Sequence, residues 1–173
     1  ATSLKRLPSR TRPEPIWIVS AYSDVLDRLD AMIRGATSSV ALSVWARELV
    51  ALRPAIDSLP ASVHRVLHSI DPIPNPPAHA SCWVDAPPSD DHKVAWSHKV
   101  ICVIDGAEAL IGGAEPDIDN QAVVTRNPAL VDIATNHIIL DVTLISRRTD
   151  RPCADAVGPL MRTHLASNGT LQA

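Results

Sequence analysis

With 173 residues, 46% of them hydrophobic and 20% charged, the chain is long enough to bury one sizeable core and short for two independent ones. A formal net charge of -3 supplies no excess of cations to neutralise a phosphate backbone, which weighs against nucleic-acid binding by the chain as a whole. No stretch approaches the roughly 18 uninterrupted apolar residues of a membrane span, and ATSLKRLPSRTRPEP lacks the apolar centre of a secretory signal. The expectation is a soluble, cytoplasmic protein with no membrane partner.

Residues 1–14 carry Lys5, Arg6, Arg10 and Arg12 with Pro8 and Pro13, a composition suited to a basic linker, and residues 15–173 are expected to form one folded unit. That unit opens with IWIVS (16–20), an apolar run rich in β-branched residues and therefore a strand. The pattern then switches to helical spacing, in which Val25, Leu26, Leu29, Met32, Ile33 and Ala36 share a face, with Ser20 as the candidate N-cap and Gly35 near the end. SSVALSVW (38–45) predicts a second strand, ARELVALRPAIDSL a second helix that Pro54 must kink or shorten, and ASVHRVLHS (61–69) a third strand.

Six of the 15 prolines then fall between residues 72 and 88, so this stretch predicts loop, with ASCWVDA as one short strand inside it. KVICVID and EALIGG are two apolar runs joined at Asp105-Gly106, a dipeptide that tolerates the positive φ of a tight hairpin turn. QAVVT (121–125) supplies another strand. TRNPALVDIATNHIILDVTLI then starts a helix with Asn127 as N-cap and Pro128 at the first helical position. Strands and helices alternate in the first half and strands cluster in the second, which argues for an α/β fold, a mixed β-sheet flanked by helices.

Cys82, Cys102 and Cys153 are odd in number and form no CxxC, so neither a disulfide framework nor a zinc site is expected. Cys102 sits in an apolar strand pattern and reads as a small core residue. His79 and Cys82 have an HxxC spacing, but a structural zinc site needs four ligands and no second pair stands nearby. No metal and no cofactor is expected.

His98 stands seven residues ahead of Asp105, the outer spacing of the HxKxxxxD signature of the phospholipase D superfamily. Such a site needs the His as nucleophile and the Lys as phosphate clamp on one face of one strand, which a spacing of two achieves because side chains alternate. Here Lys99 follows His98 directly, and the position for the Lys holds Val100. No second HxK occurs either, since His92 is followed at once by Lys93, and a homodimer would repeat the same defect. These departures lead to the expectation that the chain is not an enzyme and has no catalytic residues. A plain strand-edge histidine is the simpler account of His98; the enzymatic alternative would pair His98 as nucleophile with Asp105 as acid.

The pattern from Ile16 to about Arg147 resembles the effector domain of the TrmB family of sugar-responsive transcriptional regulators. The likeness is carried by SSVALSVWARELVALRPAID, the hairpin VICVIDGAEALIGG and QAVVTRNPALVDIATNHI. The resemblance implies a phospholipase D-like half without phosphodiesterase activity, sensing a small-molecule effector such as a sugar and compatible with a homodimer. It implies DNA binding only through a missing or separate winged helix; the chain lacks that element, and LPASV replaces the family's glycine before the third strand.

The residues that would meet a ligand under this reading are Trp45, His98, Gly112, Gly113, Glu115, Asn120, Thr125 and Asn127. Gly112 and Gly113 would let a ligand approach the backbone, while Glu115, Asn120, Thr125 and Asn127 offer the donors and acceptors that a polyol demands. Trp45 would give a sugar ring an apolar face to pack against. Duller roles stand beside these: turn formation for the glycines, capping for Asn127, core packing for Trp45. A pure dimerisation platform would need no pocket at all.

Overall fold

The computed structural model describes residues 15–85, 98–116 and 120–167. The basic leader, the last two prolines of the proline-rich stretch, His92 and Lys93 lie outside the described residues. The elements follow in the order β1 (Ile16–Ser20), α1 (Tyr22–Arg34), β2 (Ser39–Ser43), α2 (Ala46–Asp57), β3 (His64–Ser69), β4 (Ala80–Val84), β5 (Lys99–Ile104), β6 (Glu108–Gly113), β7 (Gln121–Thr125), α3 (Pro128–Thr149) and α4 (Ala154–Ser167). The strands form one seven-stranded sheet in the order β1-β7-β6-β5-β2-β3-β4. It is mixed: β2, β3 and β4 run parallel, and every other neighbouring pair is antiparallel.

Both faces of the sheet are covered, so its central strands read as near-continuous apolar runs rather than as alternation. Under α1 and α2 lie Val25, Leu29, Ile33, Val40, Leu42, Leu52, Val100, Cys102, Leu110 and Val124. Under α3 and α4 lie Ala41, Val66, Trp83, Ile101, Val103, Val131, Ile138, Val142 and Val157. Cys102 has the core role read from the sequence: it is fully buried, and burial, with a smaller contribution from Glu108, pushes its thiol up to about 12. α3 is long and apolar enough by length and composition to cross a membrane, although Val131, Ala134, Ile138, Val142 and Ile145 are buried against the rest of the fold.

Several local expectations are met and several are corrected. The β5–β6 hairpin closes through Asp105, Gly106 and Ala107, with Asp105 at φ 55° and Gly106 at φ 62°, the positive angles that this dipeptide tolerates. Asn127 caps α3, its side chain accepting from the backbone N–H groups of Ala129 and Leu130, with Pro128 following. Ser20 is not the cap of α1; it ends β1, and Ala21 takes the N-cap position at φ 70° with no side-chain bond. Pro54 neither breaks nor shortens α2 near its own position, because that helix continues to Asp57. A proline there removes a bond to the carbonyl four residues back, and that residue, Val50, is exposed so that water can serve it. α4, with Gly158 and Pro159 inside it, has no counterpart among the sequence expectations.

Asp105 has a structural task. Its carboxylate accepts from the backbone N–H groups of Thr37, Ser38 and Ser39 and from the Thr37 and Ser38 hydroxyls, fixing the entry into β2. Burial alone would raise its pKa, but the bonds from Ser39, Thr37 and Ser38 outweigh it and hold the carboxyl at about 2. A folded-state pKa below the unfolded one adds stability that is present above the unfolded value and lost as pH falls through the folded one. Asp105→Ala should therefore cost about 1 to 2 kcal/mol at neutral pH, after discounting for the screening of a partly exposed group. The difference from the unsubstituted protein should shrink between about pH 4 and pH 2. Urea titrations across that window check it; a penalty that stays constant with pH would show that the charge contributes nothing.

Candidate functional site

The carboxyl ends of β2, β3 and β4 share one edge of the sheet with the amino end of β5, since β5 is antiparallel to β2. Open α/β sheets bind ligands in the crevice at such an edge. Here the chain leaves β2 and enters α2 through Trp45, Arg47 and Glu48, while His98 enters β5 directly opposite.

Glu48 is fully buried. One of its oxygens accepts from the Tyr22 hydroxyl at 2.7 Å and from Arg47 Nε at 2.8 Å, and the other faces His98 Nε2 at 2.9 Å. Burial would push this carboxyl up, yet the bonds from His98, Tyr22 and Arg47 outweigh that and keep it below the ordinary carboxylate range. Its place in the first turn of α2 adds the favourable end of the helix dipole. A bond to an ionised carboxylate requires a proton on His98 Nε2, so in the neutral ring Nδ1 carries the lone pair.

His98 is packed against an aromatic ring and a guanidinium. Trp45 stacks on it with centroids 4.0 Å apart and planes at 19°. Arg47 Nη2 lies 3.1 Å from Nε2 and 3.4 Å from Nδ1, which brings a guanidinium against the same ring. The same Nη2 donates to the Ala114 carbonyl at 2.8 Å. Glu115 approaches from the β6 side, its Oε1 accepting from the His98 backbone N–H at 3.2 Å and lying 3.9 Å from Nδ1. Arg47 and Glu115 are 45% and 42% exposed, so a cation and an anion form the lip above a buried Glu48–His98 pair.

The structure divides the sequence candidates into two groups. Trp45, His98, Gly113, Glu115 and Asn120 gather at this edge. The Asn120 amide donates to the Glu115 carbonyl, and its oxygen accepts from the Glu115 N–H at 2.8 Å, which fixes the segment after β6. Gly112 lies one residue inside β6 and packs on Ala122, where an added Cβ would sit 2.4 Å from the Ala122 Cα. Thr125 and Asn127 follow at the far end of β7, because Thr125 pairs with Ala109 whereas Ala122 pairs with Gly112. There the Thr125 hydroxyl accepts from the Asn127 N–H, and the Asn127 side chain caps α3. Asp105 is also at that far end, so it cannot act as an acid on anything bound at His98.

Tyr22, Arg47 and Glu48 are the members that sequence reasoning missed. The available signal was Glu48 itself, a carboxylate in line with Leu52 and Ala55 on the apolar face of α2. A charge on that stripe needs a buried partner.

The seven-stranded mixed sheet with helices on both faces, with a histidine at the entry of the central hairpin, is an α/β fold that solved structures share. Among solved structures, the chain is similar to NucT from Helicobacter pylori, with 10% identity over 75% of this chain and 96% of that one and a TM-score of 0.55. It is similar to TrmBL2, described as an archaeal chromatin protein with a novel mode of DNA binding, at 12% identity and a TM-score of 0.51. That likeness covers 73% of this chain and 51% of TrmBL2, so the chain spans about half of that protein's length. A further match is Nuc from Salmonella typhimurium, a phospholipase D family member, at 14% identity over 74% of this chain and 93% of that one, with a TM-score of 0.49. No family model matches the chain, and no curated protein matches its sequence.

At these identities the likeness is one of fold. It nevertheless overturns the expectation that the chain is not an enzyme as a conclusion, since a fold shared with NucT at a TM-score of 0.55 gives that expectation no support. The physical premise of that expectation is corrected as well: Val100 does displace the strand lysine, but Arg47 brings a different cation against His98 from α2.

Proposed function

We propose that the chain is a ligand-sensing domain of the TrmB effector type, receiving a small, hydroxyl-rich molecule such as a sugar at the edge over His98. The observation that carries the reading is the lip of Arg47 and Glu115 above the Glu48–His98 pair. A polyol is neutral and presents donors and acceptors side by side, which suits a half-exposed guanidinium next to a half-exposed carboxylate. Holding both groups in advance, through Ala114 and Asn120, lowers the ordering cost of binding. The structural similarity to TrmBL2 supports the reading at the level of fold.

The test is the shift in melting temperature across a panel of neutral mono- and disaccharides, since a binder of the native state gains stability with ligand concentration. At least one sugar should raise the melting temperature saturably. Arg47→Gln and Glu115→Gln should each weaken that sugar by about tenfold or more, the worth of a charge-assisted hydrogen bond. No stabilisation by any sugar, or unchanged affinity in both variants, would sink the proposal.

A second reading has one specific observation in its favour, the cation that Arg47 places against His98. In it the site cleaves a phosphodiester: His98 Nδ1 attacks phosphorus, the P–O bond to the leaving group breaks, the departing alkoxide takes a proton from water, and a second water later releases the phosphoryl group from the imidazole. Glu48 would orient the ring and Arg47 would hold a non-bridging oxygen. Hydrolysis of bis-p-nitrophenyl phosphate that disappears in both His98→Ala and Arg47→Ala would favour this reading over the first.

A further inference from the structure

A concave site lies at the opposite edge of the sheet from the His98 cluster. It is a cavity of about 390 Å³ lined by Trp17, Val19, Arg28, Glu108, Val124 and Arg126. Its size falls within the range of roughly 300 to 1,000 Å³ usual for small-molecule pockets. The register explains how these residues meet. Trp17 pairs with Val124, and Glu108 and Arg126 follow the same alternation as Leu110 and Val124, so all of them face α1, which contributes Arg28.

One oxygen of Glu108 accepts from Arg28 Nη2 at 3.0 Å and from Arg126 Nε at 3.3 Å. These bonds occupy one donor of each five-donor guanidinium, and the two cations against one carboxylate leave the groove a formal charge of +1. Arg28 and Arg126 are 39% and 59% exposed, whereas Glu108 is only 15% exposed, so what faces the solvent is cationic. Trp17, 45% exposed beside them, presents a large apolar face with Val19 and Val124 as its floor.

We propose that this groove binds a small planar aromatic anion, a ring carrying a carboxylate or a phosphate. The ring would lie against Trp17 and the oxyanion would take the free donors of Arg28 and Arg126. Glu108 acts as a positioning residue, since it fixes both guanidinium forks before the ligand arrives. The site is separate from the His98 edge and its occupancy does not depend on the sugar reading.

The test is isothermal titration of the full chain with benzoate and with adenosine 5′-monophosphate, against acetate, inorganic phosphate and benzamide as partial ligands. Benzoate, the monophosphate or both should bind saturably at millimolar concentration or below, and the three partial ligands should each bind about tenfold more weakly or not at all. If the monophosphate alone binds, the oxyanion is a phosphate; if benzoate alone binds, it is a carboxylate. Trp17→Ala and Arg126→Gln, both at exposed positions, should each weaken the aromatic anion by about tenfold. The absence of binding by both aromatic anions overturns the proposal, as does affinity retained in both variants. Equal binding of benzamide would remove its anionic half.

Discussion

Replacing Glu48 by alanine is expected to be among the most destabilising single substitutions in this protein, costing about 3 to 5 kcal/mol out of a total that for domains of this size is about 5 to 15. The carboxylate is fully buried and takes bonds from Tyr22, Arg47 and His98. Its loss leaves Tyr22 and His98 donors facing a void, and the penalty of an unpaired buried group exceeds the worth of the bond it replaces. Tyr22→Phe, by contrast, removes one donor of three and should cost about 1 kcal/mol. The pH dependence follows from the depressed carboxyl of Glu48: its contribution is present at neutral pH and is lost as pH falls below the ordinary carboxylate range. Urea denaturation of the two variants at neutral and acidic pH reads both effects. If Glu48→Ala proved no worse than Tyr22→Phe, the cluster would have to be held by the packing of Trp45 on His98 rather than by its charges.

Much of the scaffold was legible because the relevant signals are local. Asp105-Gly106 specifies its own turn, Asn127-Pro128 specifies its own helix start, and strands buried on both faces declare themselves as apolar runs. The site was less legible because it is assembled across the chain. His98 was found through its spacing to Asp105, yet the two lie at opposite ends of β5, and the spacing marks a strand length rather than a catalytic pair. Arg47 and Glu48 reach His98 from about fifty positions away, a relation that no periodicity encodes. Thr125 and Asn127 look close to Glu115 in sequence, but β7 runs back along β6 and carries them away from it. Ser20 has the right chemistry for a cap, and the demand of β1 for pairing with Gln121 overrides it.

The two hairpin glycines, equivalent in the sequence, are expected to separate sharply under substitution. At Gly112 an added Cβ would stand 2.4 Å from the Ala122 Cα, 2.5 Å from its Cβ and 2.6 Å from the Gln121 carbonyl oxygen. Two of these atoms belong to the backbone of the neighbouring strand, so relief requires β6 and β7 to move apart. Overpacking against a fixed backbone costs about 3 kcal/mol or more, while exchanging glycine for alanine returns at most about 1 kcal/mol through the unfolded chain. Gly112→Ala should therefore lose about 2 kcal/mol or more. At Gly113 the nearest atom is the Asn120 side-chain oxygen at 3.0 Å, and a side chain can yield by a few tenths of an ångström. Gly113→Ala should cost less than about 1 kcal/mol, but that same oxygen holds the Glu115 N–H and with it the position of the carboxylate at the lip. The first substitution thus tests the sheet and the second tests the site. Urea midpoints compared with the affinity of a stabilising sugar should show Gly112→Ala moving the midpoint and Gly113→Ala moving the affinity; the reverse assignment would place the ligand away from the edge that Glu115 guards.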